Sequence, residues 1–202
     1  MDVELRHGGN RASTATRLGC RPSDLLDASA SLVPWTPRLP RIHPSLIRDY
    51  PDRSHVGLRG DLARLHGVAS ETLLVGNGAA ELFTWAARDA AGTGRSLLLS
   101  PGFADYSRAL SCWDGTWISH QLPLNWSADC PQPIPPPAQA EALWICNPHN
   151  PTGQLWSRAS LEPLLQRFRL VICDEAFLPL VPDGERQSLI PLVAEHANLV
   201  VI

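Results

Sequence analysis

The run RLVICDEAF (169–177) sets two carboxylates, Asp174 and Glu175, directly behind a buried-strand pattern. Open α/β sheets hold ligands at the carboxyl ends of their strands, so either acid could act on a ligand there, or simply cap a turn. A second apolar run, ALWIC (142–146), ends in NPHNPTG, where Asn147 and Asn150 each precede a proline. Prolines stiffen such a loop, and an amide at Asn150 can then donate to a ligand oxygen at small conformational cost. His149 between them reads as a loop residue, because no other His stands at a metal-ligand spacing from it.

Two further stretches carry chemistry. LLVGNGAAELF (73–83) reads as strand, glycine turn and helix start. Gly76 and Gly78 permit a sharp bend, and the amides of Ala79 and Ala80 then lie at the positive end of a helix, where an anion can sit. Glu81 occupies the third glycine position of the dinucleotide fingerprint, which argues against that ligand and leaves a plain structural turn or a phosphate cup. SPGFADYSRAL (100–110) offers Phe103 and Tyr106 at a helix start. They are either a staple into the core or, at Phe103, a flat face for a planar ligand.

All 17 basic residues are Arg, and the chain has no lysine. Four apolar residues before Asp-Glu resemble the Mg²⁺-binding strand of nucleotide hydrolases, but the phosphate loop of those enzymes requires a lysine, which excludes them. Five cysteines without a C-x-x-C pair indicate neither a disulfide framework nor a metal site. The net charge of −3 and the scattered arginines exclude a nucleic-acid footprint, and no apolar run is long enough to span a membrane. The expectation is a cytoplasmic protein with small-molecule partners.

The elements that must position these residues are apolar runs at 72–75, 96–100, 116–119, 142–146, 169–173 and 198–202, separated by helix-period segments such as AAELFTWAARDAA and SRASLEPLLQRF. Near-continuous apolarity marks strands covered on both faces, so the fold class expected is α/β with a mostly parallel sheet. The proline-rich run 121–140 reads as a surface excursion, residues 1–57 as an extended arm ending in a turn, and 58–202 as the sheet domain. The final strand-like run has nothing after it to cover it, which suggests the front part of a longer protein.

In this order, GNGAAEL, PGFADY, NPHNPTG and DEAF resemble the fold-type-I pyridoxal-phosphate enzymes of the aminotransferase superfamily. Together with RHGGN, LLDASASLVP, DYPD and LRGDLARLHGV, they are most similar to the L-threonine-O-3-phosphate decarboxylases of cobalamin biosynthesis, relatives of the histidinol-phosphate aminotransferases. The resemblance implies a three-layer α/β/α large domain, pyridoxal 5'-phosphate as cofactor, a phosphorylated amino acid as substrate and a homodimer when complete. It implies that Gly78, Ala79 and Ala80 hold the cofactor phosphate, Phe103 stacks on the ring and Asn150 donates to the ring hydroxyl. Asp174, the catalytic candidate, pairs with the ring nitrogen, and His7 and Ser31 lie on the substrate side. Phe177 stands where many aminotransferases carry a Tyr, which favours decarboxylation over amino transfer. Ser31 and Val33 stand where Asn is common. The lysine that carries the cofactor is expected beyond NLVVI, as is the small domain, so the 202 residues are expected to be catalytically incomplete. A non-catalytic remnant that binds a phosphate ligand or a protein partner is the reading from a different class.

Overall fold

The computed structural model describes residues 8–30, 35–36, 38, 40–41, 43–125, 133–134 and 139–202. The expectations for His7 and Ser31 lie outside the described residues. The chain forms two compact units, residues 1–51 and 52–202, whereas the sequence placed the boundary after residue 57. Asp52 precedes the helix that follows and ties into its start: its carboxylate accepts from Ser54 N at 2.9 Å and Val56 N at 2.7 Å.

The first unit contains helix α1, Arg11–Leu18, where an extended arm was expected. Local capping explains the difference. Asn10 accepts from Ser13 N at 3.4 Å, and Gly19 ends the helix in the left-handed conformation.

The second unit opens with α2 (Val56–His66) and α3 (Gly78–Thr93). Strand β1 (Ser96–Ser100), α4 (Asp105–Ser111), β2 (Trp117–Gln121) and β3 (Ala142–Cys146) follow, then the short α5 (Arg158–Leu161), β4 (Leu170–Asp174) and β5 (Leu199–Val201). Glu162–Gln166 continues α5 as a 3₁₀ turn rather than as the longer helix the periodicity suggested, with Pro163 entering at its start.

All four strand pairings are parallel, in the order β2-β1-β3-β4-β5. The period-2 pleat divides the strand residues between two cores. Leu97, Leu99, Leu143, Ile145, Val171 and Cys173 pack with Leu161, Leu164, Leu165 and Phe168 of the α5 side. Leu98, Ala142, Trp144, Cys146, Leu170 and Ile172 pack with α3 and α4. Helix α3 fits that face because Phe83, Ala86, Ala87 and Ala90 recur at helical spacing and are all buried. The result is the three-layer α/β/α arrangement expected.

The TLLV run does not become a strand. Its first residue closes a 3₁₀ turn (Ser70–Thr72), and Leu74 is 68% exposed. A strand exists only through a ladder, and among the described residues nothing pairs with 73–75. These residues flank a groove of about 1130 Å³ that also runs along β5, one of the two edge strands of the sheet.

Candidate active site

The chain leaves β1 toward β2 on one side and later enters β3 on the other, so the strand order reverses between β1 and β3. A crevice opens at the carboxyl ends of strands at such a point. The β1–β3 ladder stops at Leu98↔Trp144, although the strands run on to Ser100 and Cys146. The loops that carry Phe103 and Asn150 leave from these unpaired ends of β1 and β3.

Asp174 is the last residue of β4, in register with Cys146, and is 5% exposed. Its two oxygens are held separately: Tyr106 Oη donates to Oδ2 at 2.6 Å, and Ala176 N donates to Oδ1 at 3.0 Å. The Tyr106 phenol is pushed far above its ordinary range, first by burial, with the neighbouring Asp174 carboxylate adding to the effect. It stays protonated and acts as a donor. Beneath the carboxylate, burial pushes the Cys146 thiol up to about 12, so that it is an uncharged core group.

Glu175 is also buried but turns to the structure itself. It accepts from Ser188 Oγ at 2.6 Å and from Leu189 N at 2.7 Å, which fixes the segment 184–190. Burial raises its pKa above the ordinary value, against the effect of those two donors. Of the two acids in DEAF, Asp174 is the one that meets Tyr106 of α4, while Glu175 lines the groove beside β5.

Asn147 and Asn150 also separate. Asn147 is fully buried and clamps its own loop: Nδ2 donates to the Trp156 carbonyl at 3.0 Å and Oδ1 accepts from Trp156 N at 2.9 Å. Its backbone N donates to the Asp174 carbonyl at 2.8 Å, which ties this loop to the end of β4. Asn150, half-buried, stands at the rim.

Phe103 is half-buried and meets Tyr106 edge-on at 5.6 Å and Phe83 at 6.1 Å between ring centroids. Tyr106 packs in the core, as the staple reading expected, and also reaches the Asp174 carboxylate. Gly78 starts α3 at φ 75°, a conformation that favours glycine, and a Cβ there would meet nothing within 4 Å. Glu81 folds back onto the Asn77 amide at 2.5 Å, and Ala79 and Ala80 follow in the first turn, whose amides have no partner within a helix. Arg108 donates to the Ala80 carbonyl at 3.2 Å and anchors that turn to α4.

The structure brings Phe103, Asp174 and the Asn150 loop together through Tyr106 and Asn147, and joins the first turn of α3 to them through Phe83 and Arg108. The donor role of Tyr106 and the clamp of Asn147 were not visible in the sequence, since nothing in spacing links residue 106 to 174.

The family model for aminotransferase class I and II matches residues 28–202. The threonine-phosphate decarboxylase of Salmonella typhimurium is 32% identical over 209 aligned positions, covering 97% of this chain and 56% of that protein. Among solved structures, L-threonine-O-3-phosphate decarboxylase from Porphyromonas gingivalis superposes with a TM-score of 0.62 at 26% identity, covering 78% of this chain and 46% of that one. Histidinol-phosphate aminotransferase from Sinorhizobium meliloti in complex with pyridoxal-5'-phosphate superposes with a TM-score of 0.62 at 18% identity, covering 78% and 44%. The chain thus spans about half the length of these relatives. With its parallel sheet and the crevice at the switch point, the chain belongs to the aminotransferase class I and II family.

Proposed function

We propose that this chain forms the cofactor-holding part of a pyridoxal-phosphate enzyme that decarboxylates L-threonine O-3-phosphate to (R)-1-amino-2-propanol O-2-phosphate, a step of cobalamin biosynthesis. The observation that carries the reading is the Asp174 carboxylate, buried at the end of β4 with each oxygen held by a donor. A carboxylate surrounded by donors stays available as an acceptor for a protonated ring nitrogen. The residues present fit the cofactor in three further ways. Phe103 presents a half-buried ring, Asn150 an amide at the rim, and α3 a helix start with open space at Gly78.

When bound, pyridoxal phosphate supplies a ring that accepts the electron pair left as a bond at the substrate α-carbon breaks. The chain's own residues bind and orient. Asp174 would keep a proton on the ring nitrogen, Asn150 would donate to the ring hydroxyl, Phe103 would cover one ring face and exclude water, and the amides of Ala79 and Ala80 would take the phosphate. Phe177 has no hydroxyl to offer the ring, which supports decarboxylation rather than amino transfer. The Salmonella relative at 32% identity supports the same choice. His7 and Ser31 are proposed on the substrate side, and a homodimer is proposed for the whole protein.

The test is an assay of the protein as expressed from its own gene. Release of CO₂ from L-threonine O-3-phosphate without a keto acid is expected. Turnover that requires a keto acid and releases no CO₂ would overturn the decarboxylase reading in favour of amino transfer.

A further inference from the structure

We propose that His149 is a positioning residue whose imidazole latches the Phe103 loop to the Asn150 loop and sets the spacing between ring face and amide donor. The role in cofactor binding rests on the reading of Phe103 and Asn150 given above. His149 Nε2 lies 2.7 Å from the Pro101 carbonyl oxygen, 48 residues away in sequence. A carbonyl only accepts, so Nε2 carries the proton and donates. The ring is 3% exposed and packs edge-on against Trp156 with centroids 5.7 Å apart, while Nδ1 has no hydrogen-bond partner. A buried polar ring with a single bond depends on that bond.

Both ends of the latch are stiff. At Gly102 a Cβ would come within 2.2 Å of the Leu99 carbonyl oxygen, so the turn that presents Pro101 is tight and needs glycine. On the other side, His149 N donates to the Gln154 carbonyl at 2.7 Å and Gly153 N to the His149 carbonyl at 2.6 Å, closing that loop on itself. These bonds stiffen the loops without joining them. Since the β1–β3 ladder has already ended at Leu98↔Trp144, the imidazole bridges strand ends that the sheet no longer holds together. Phe103 lies two residues from the Pro101 end, and Asn150 is the neighbour of His149.

Two substitutions in the 202-residue chain separate the latch from mere packing. His149→Phe keeps an aromatic body against Trp156 and removes the donor; His149→Gln restores a donor. At pH 8, hydrogen–deuterium exchange in residues 101–105 and 147–153 is expected to speed up about tenfold in His149→Phe and to stay within about threefold of wild type in His149→Gln. Pyridoxal-phosphate affinity should follow the same order, about tenfold weaker in the first and within about threefold in the second. Equal exchange in wild type and His149→Phe overturns the latch. Should His149→Phe fail to fold, ¹⁵N NMR of the wild-type imidazole decides: an Nε2–H tautomer is expected, and an Nδ1–H tautomer overturns it. Asp174→Ala separates the two readings. If it binds pyridoxal phosphate as tightly as wild type, the cofactor site is wrong, and the exchange comparison still decides the latch.

Discussion

Neighbouring residues of like type do different work here. Asp174 and Glu175 are both buried carboxylates at the end of β4, yet one is held by Tyr106 at the crevice and the other is bound to Ser188 and Leu189. The sequence made both acids candidates, and only packing against two distant segments distinguishes them. Removing the structural acid leaves two donors unpaired, so Glu175→Ala should lose about 1–3 kcal/mol in urea unfolding without changing which ligand the crevice binds. Because burial raises the Glu175 pKa above its ordinary 4.5, the folded chain holds this proton more tightly than the unfolded one. Its contribution is therefore largest at low pH and declines as pH rises from 4.5 through the raised value; Glu175→Gln should flatten that part of the pH–stability curve. His149 has the opposite sign. Burial lowers it from 6.5, so its contribution is present above pH 6.5 and is lost as pH falls through the lowered value. His149→Gln should remove the acid-side loss, read by thermal unfolding between pH 7 and 5. An unchanged slope would contradict the buried, neutral imidazole.

At the level of elements, five of the six strand-like runs became strands, because apolar runs between helix-period segments can hardly be satisfied except in a covered parallel sheet. The exception, TLLV, has the right composition but no ladder partner among the described residues, and composition alone cannot supply one. The first turn of α3 was legible from its glycines, and its backbone explains why: Gly78 takes φ 75°. Gly78→Ala should cost about 1–2 kcal/mol in chemical denaturation, although a Cβ there meets nothing within 4 Å, because the strain is in the backbone. At Gly102 the clash with the Leu99 carbonyl is steric, so Gly102→Ala should be the more damaging of the two. The reverse order would contradict the turn geometry described.

For the whole molecule, the outer edge of β5 and the groove of about 1130 Å³ beside it leave apolar surface and backbone groups uncovered in the second unit. Exposed edges and large apolar grooves favour association. The 202-residue chain should therefore bind an apolar dye such as ANS and show concentration-dependent species above 22.1 kDa in light scattering. A monodisperse monomer that binds no dye would contradict this. The order of the four motifs was legible in the sequence, and so was the emergence of Asn150 and Asp174 at one sheet edge; the strand order that completes their convergence, reversing between β1 and β3, was not. That convergence at Asp174 is the central claim. Titration of the 202-residue chain with pyridoxal phosphate, followed by fluorescence, tests it most directly. Because the chain has no lysine, the side chains can hold the cofactor only reversibly, and borohydride should trap none of it except at the N-terminal amine. The account predicts saturable, dialysable binding that Asp174→Ala weakens about tenfold or more; equal binding by wild type and Asp174→Ala would contradict it.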